Sequence, residues 1–112
     1  MDPIGIIGVG QIGLAVAERL IASDLATMGY RRASLDAFTA LGGTAANASN
    51  EVVEECALSL ECLPNEPALF DVIQQLPHYA PEDGKTIVSL SSHSLVAKEE
   101  ANRRLGERNI VY

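Results

Sequence analysis

The chain has 112 residues, 47% of them apolar, and a formal net charge of −7. That length makes one domain with a moderate core. The charge argues against a nucleic-acid partner, because phosphate backbones are held by clustered Lys and Arg. Small anionic ligands stay open, since they need only one local pocket.

Ile4 to Val9 is a short apolar run ending in glycines, as a buried strand does. Gln11 to Ser23 then reads as a helix with Ile12, Ala15, Val16 and Leu20 on one stripe, closed by Ser23-Asp24. Leu25 to Tyr30 is a second strand. Ser34 caps a helix running to Leu41, stopped by Gly42-Gly43, and Thr44 to Ala46 forms a short third strand. Ser49 caps a helix over Asn50 to Glu55. Ala57 to Leu63 is the next strand, ended by Pro64. Asn65 caps a helix that puts Leu69, Val72, Ile73 and Leu76 on one face. After the turn-rich stretch Pro77 to Gly84 comes the strand Thr86 to Leu90. The helix Ser94 to Gly106 follows, with Ala97, Ala101 and Leu105 in one row. Asn109 to Tyr112 begins a further strand, and a strand stopping at its fourth residue reads as a cut chain or the ordered core of something longer.

Strands alternating with helices imply an α/β fold: a doubly wound, mainly parallel six-stranded sheet of Rossmann type, one domain over residues 1–112. No stretch is long and apolar enough to span a bilayer. The N-terminus also lacks a basic start, so a cytoplasmic protein is expected. Cys56 and Cys62 sit in an apolar run without metal-ligand partners and read as reduced, buried fillers. His78 and His93 have no ligand partner at short spacing, so no metal site is expected; His93, after Ser91-Ser92, is read as a surface or loop residue, with the active-site cleft as the alternative. Lys85 reads as a turn residue and Lys98 as a solvated helix charge. Glu61, a charge inside an apolar strand, points to rescue by a strand edge or a partner subunit.

Gly8-Val9-Gly10-Gln11-Ile12-Gly13 has the G-x-G-x-x-G spacing, follows a strand and opens a helix. Gly8 permits the tight turn, Gly10 lets a pyrophosphate approach the backbone, and Gly13 lets helix and strand pack closely. The helix N-terminus turns its free N–H groups toward the phosphates. Where NAD-binding versions end the second strand with an acidic residue, this chain reads Tyr30-Arg31-Arg32-Ala33-Ser34. Two guanidiniums and a hydroxyl suit a 2′-phosphate, so NADP(H) is expected rather than NAD(H). Asp24 precedes that strand and serves as a helix terminator.

Gly5-Ile6-Ile7-Gly8-Val9-Gly10-Gln11-Ile12-Gly13 resembles the opening of the β-hydroxyacid dehydrogenases, which include 3-hydroxyisobutyrate dehydrogenase and 6-phosphogluconate dehydrogenase. Cys62-Leu63-Pro64-Asn65 is similar to that family's M-L-P-[DN] segment, and Leu90-Ser91-Ser92 to its M-S-[ST] segment. Arg32 falls where NADP-using members carry an arginine. The resemblance implies that Leu63 and Pro64 line the cofactor cleft near the nicotinamide ribose. It implies that Ser91 and Ser92 sit beside nicotinamide and a small-molecule substrate; a compatible alternative is that they cap the helix starting near Ser94. Ser89 stands where many members have an aspartate. The family's substrate loop and its catalytic lysine would follow Tyr112, in a C-terminal helical domain, so no catalytic residue is assigned here. The expected activity is hydride transfer between the nicotinamide and a small hydroxy or keto acid or semialdehyde, with little turnover by these residues alone. An imine reductase and a non-catalytic NADP-binding module are the alternatives. A homo-oligomer is expected, paired through apolar surface that a helical domain would otherwise cover.

Overall fold

The computed structural model describes residues 2–112. Among them six strands and five α-helices alternate: β1 (Ile4–Ile7), α1 (Gln11–Ala22), β2 (Thr27–Tyr30), α2 (Asp36–Ala40), β3 (Thr44–Ala45), α3 (Ser49–Glu55), β4 (Leu58–Glu61), α4 (Glu66–Gln75), β5 (Lys85–Ser89), α5 (Leu95–Glu107) and β6 (Ile110–Val111). Every strand pairing is parallel, and the order is β3-β2-β1-β4-β5-β6. The order reverses between β1 and β4. In open α/β sheets the crevice at the carboxyl ends of such a strand pair is where ligands bind.

Helices cover both faces. Ile6, Val9, Ala17 and Phe38 form a small core with α1 and α2. Ile7, Val52, Val53, Leu69, Ile73, Ile87, Ala101, Leu105 and Ile110 form the larger core under α3, α4 and α5. The α1 side of β4, β5 and β6 lies beyond the reach of that helix, and Leu58, Val88 and Val111 are exposed there.

The helix over Gln11–Ala22 does not bury the expected stripe. Gly13 and Ala17 face the sheet, while Ile12 is 62% exposed. A Cβ at residue 13 would lie 2.6 Å from the Gly8 carbonyl oxygen. The helix therefore comes too close for a side chain and turns its smallest residues inward, against a rule that ranks positions by apolarity.

Two of the expected caps differ. Ser49 lies inside α3 rather than ahead of it, and the backbone N–H of Asn47 is taken by Glu51 instead (3.3 Å). Leu35, not Ser34, is the N-cap of α2, although the Ser34 hydroxyl accepts the Asp36 N–H at 3.1 Å. Asn65 does cap α4, accepting the Ala68 N–H, and Ser94, expected as the first residue of its helix, is the N-cap of α5 and accepts the Ala97 N–H. Lys85 is the first residue of β5 rather than a turn residue. Its ammonium donates to the Glu54 carbonyl (2.7 Å) and sits 5.4 Å above the Tyr79 ring.

Candidate functional site

The turn between β1 and α1 opens the crevice. Gly8 has φ +94, a backbone conformation that glycine adopts without strain. Its N–H and that of Val9 both donate to the Tyr30 carbonyl (3.0 and 3.1 Å), which ties the turn to the end of β2. Gly10 ends the turn as the N-cap of α1 and offers no side-chain cap, and the first turn of that helix holds no acidic residue. α4 and α5, by contrast, are capped by their own side chains. The first-turn N–H groups of α1 are thus left for an outside acceptor. A Cβ on Gly10 would meet nothing within 4 Å, so the backbone there borders open space. This is a cradle that a side chain would fill, and it fits a pyrophosphate.

From this turn a cleft of about 890 Å³ runs both ways. One end is bordered by Tyr30, Arg31, Arg32 and Ala33, the other by Leu63, Pro64, Leu90, Ser91 and Ser92, with Gly8, Gly10, Gln11 and Ile12 between. Val9, Gly13 and Ser34 are not on its walls. The Val9 side chain is buried beneath the turn, Gly13 forms the helix–strand contact, and Ser34 bonds to Asp36. Asp71 and Val72 from α4, and the buried Ser49, also line it. Asp71 faces Arg32 at 3.3 Å, with both side chains largely exposed. No local pattern marks that carboxylate, because the contact spans 39 positions.

Cys62 is half-buried on the cleft wall rather than in the core, and Cys56 is buried. Burial pushes both thiols up to about 11, so both stay protonated at neutral pH. His78 is exposed. Among the described residues no cluster of His, Cys, Asp or Glu has the makings of a metal site, and no helix is long and apolar enough to cross a membrane.

Glu61 and His93 are where the structure departs most from expectation. Glu61 ends β4, a central strand of the sheet, and is 1% exposed. It needs neither an edge nor a second subunit. Its carboxylate accepts from the Leu63 N–H (2.7 Å), the Ser89 hydroxyl (2.8 Å) and the Ser91 hydroxyl (2.5 Å). His93 Nε2 lies 3.1 Å away and the Tyr112 hydroxyl 3.3 Å. Burial pushes this carboxyl up. The bonds from Ser91, Leu63, Ser89 and His93 outweigh that and hold it below the ordinary range. Ser89, where the resemblance expects an aspartate, instead donates to a carboxylate on the neighbouring strand. His93 lies in the loop before α5, but its side chain is only 4% exposed and faces the cluster rather than the surface. Ser91 serves this cluster, and Ser94 alone caps the helix.

The strand order, the glycine turn and the crevice at the β1–β4 switch define a Rossmann-type dinucleotide-binding domain. The family model for the NAD binding domain of 6-phosphogluconate dehydrogenase matches residues 3–112. The chain belongs to that family, and so to the N-terminal domains of the β-hydroxyacid dehydrogenases. Comparison with curated proteins finds no match. Among solved structures it is similar to an imine reductase from Pseudomonas sp. (25% identity, TM-score 0.84, covering 99% of this chain and 39% of that one). It is also similar to Mycobacterium tuberculosis 3-hydroxyisobutyrate dehydrogenase with L-serine (16%, TM-score 0.86, 99% and 38%). A third is the Aspergillus terreus reductive aminase in complex with NADPH and ethyl levulinate (18%, TM-score 0.87, 98% and 39%). The chain thus spans about two fifths of the length of these structures.

Proposed function

We propose that this chain is the NADP(H)-binding domain of an oxidoreductase that moves hydride between the nicotinamide and a small hydroxy acid, keto acid or semialdehyde. The observation that carries this reading is one cleft with an uncapped glycine turn at its centre and two exposed arginines at one end. Gly8, Gly10 and the first N–H groups of α1 would hold the pyrophosphate, and Arg31 and Arg32 the 2′-phosphate. Leu63 and Pro64 would flank the ribose on the other side. Ser91 and Ser92 would contact the nicotinamide and the substrate. Bound there, the nicotinamide supplies the hydride chemistry, and the domain orients it and keeps water from one face. A second reading, reduction of an imine rather than a carbonyl, is favoured by the 25% identity to the Pseudomonas enzyme over nearly the whole chain.

Calorimetric titration with NADPH and NADH tests the cofactor assignment. NADPH should bind at least about tenfold tighter, and Arg31→Ala/Arg32→Ala should abolish that preference. Tighter NADH binding, or an unchanged NADPH affinity in the double variant, overturns it. Turnover of a semialdehyde, keto-acid and cyclic-imine panel by the protein that carries this domain separates the two substrate readings.

A further inference from the structure

The carboxylate of Glu61 can only accept hydrogen bonds while it is ionised, so each of its partners must spend a proton on it. Ser91 has one hydroxyl proton. Its oxygen lies 2.5 Å from Glu61 Oε2 and 3.0 Å from the Leu63 carbonyl, and the shorter, charged contact takes the proton. His93 offers Nε2 to the same oxygen at 3.1 Å, so Nε2 carries a proton, and in the Nε2–H tautomer Nδ1 is an acceptor. Nδ1 has no hydrogen-bond partner among the described residues. Ser91 borders the main cleft, and His93 borders a smaller adjoining one of about 290 Å³ with Leu63, Pro64 and Ser92. No Lys or Arg is among the partners of Glu61, and with His93 in the Nε2–H tautomer its negative charge is not cancelled locally.

We propose that Glu61 is a positioning residue for the nicotinamide end of the cleft. It fixes Ser91 and His93 so that they offer acceptor atoms to a donor-bearing ring such as the nicotinamide carboxamide. Its buried charge makes this end favour the oxidised, positively charged ring over the reduced one. The proposal rests on the cofactor reading above. It adds an electrostatic role for a residue that never touches the cleft surface itself. A Gln at this position removes the charge, while its amide oxygen can still accept from Leu63, Ser91 and His93 with its NH2 group facing the Ser89 and Tyr112 hydroxyls, so the substitution isolates the charge.

The test compares NADP+, NADPH and adenosine 2′,5′-bisphosphate binding to the wild-type chain and to Glu61→Gln. The variant should weaken NADP+ roughly tenfold more than NADPH, and leave the bisphosphate, which lacks the nicotinamide, unchanged. Equal weakening of both redox forms reveals a merely structural role and overturns the proposal. In parallel, ¹⁵N imidazole NMR of the wild-type chain should find His93 as the Nε2–H tautomer, with His78→Gln giving the assignment. A His93 ring in the Nδ1–H form, or averaging between the two, overturns the proposal even if Glu61→Gln fails to fold. If the wild-type chain binds the bisphosphate and NADPH but does so without any contribution from Ser91, seen as an unchanged NADPH affinity in Ser91→Ala, this inference fails alone. If it binds none of the three ligands, the cofactor reading falls and takes this inference with it.

Discussion

At the Arg31–Ala33 end of the cleft the functional groups are exposed cations on a loop. At the Leu90–Ser92 end they hang from one buried carboxylate. The first end gains from being wet and loose. An exposed guanidinium costs little to keep and pairs with a phosphate when one arrives, and its link to Asp71 is a surface ion pair of small worth. The second end is organised before any ligand is present, because Glu61 already orders Ser89, Ser91 and His93. Under the proposed function, charge at the rim would set affinity for the cofactor's tail, whereas hydrogen bonds in the interior would set the geometry at its reactive ring.

The largest expected effect comes from breaking the buried end. Glu61→Leu leaves its donors without an acceptor and should lower stability by about 3 kcal/mol in urea denaturation. Arg31→Ala should stay within about 0.5 kcal/mol of wild type. Equal losses for the two would erase the contrast between the ends. A smaller effect separates the two glycines that flank the start of α1. Gly13→Ala forces a Cβ toward the Gly8 carbonyl and should cost about 1–3 kcal/mol. Gly10→Ala meets no atom and should fold normally, yet lose about tenfold in NADPH affinity because its methyl enters the phosphate cradle. Full NADPH affinity in Gly10→Ala would move the pyrophosphate elsewhere. The smallest effect is at the rim. Asp71→Asn removes the carboxylate facing Arg32 and should tighten NADPH about twofold to threefold, with NADH unmoved, by titration calorimetry.

The same division explains how much was legible in the residues alone. The glycine turn, the arginines after β2 and the cap at Asn65 are local patterns, in which spacing dictates geometry. The strand-and-helix alternation likewise fixed the sheet. The Glu61 cluster is built from partners 28, 30, 32 and 51 positions away. It depends on the parallel register that sets Glu61 beside Ser89, and no periodicity in the chain reports that. That His93 turns its ring inward from its loop was hidden for the same reason. The buried face of α1 was misjudged because close packing selects the smallest side chain, whereas periodicity ranks the most apolar. Ile12, released from the core, lines the cleft instead.

The most direct measurement is amide chemical-shift mapping of the chain, titrated first with adenosine 2′,5′-bisphosphate and then with NADPH. The bisphosphate should move the signals of the Arg31–Ser34 loop and the neighbouring glycine turn. NADPH should move those and, in addition, Leu63 and the Leu90–His93 segment. Shifts from NADPH that spare Leu63 and Leu90–His93, or that fall on the exposed sheet face at Leu58, Val88 and Val111, would contradict a single cleft holding the cofactor from end to end.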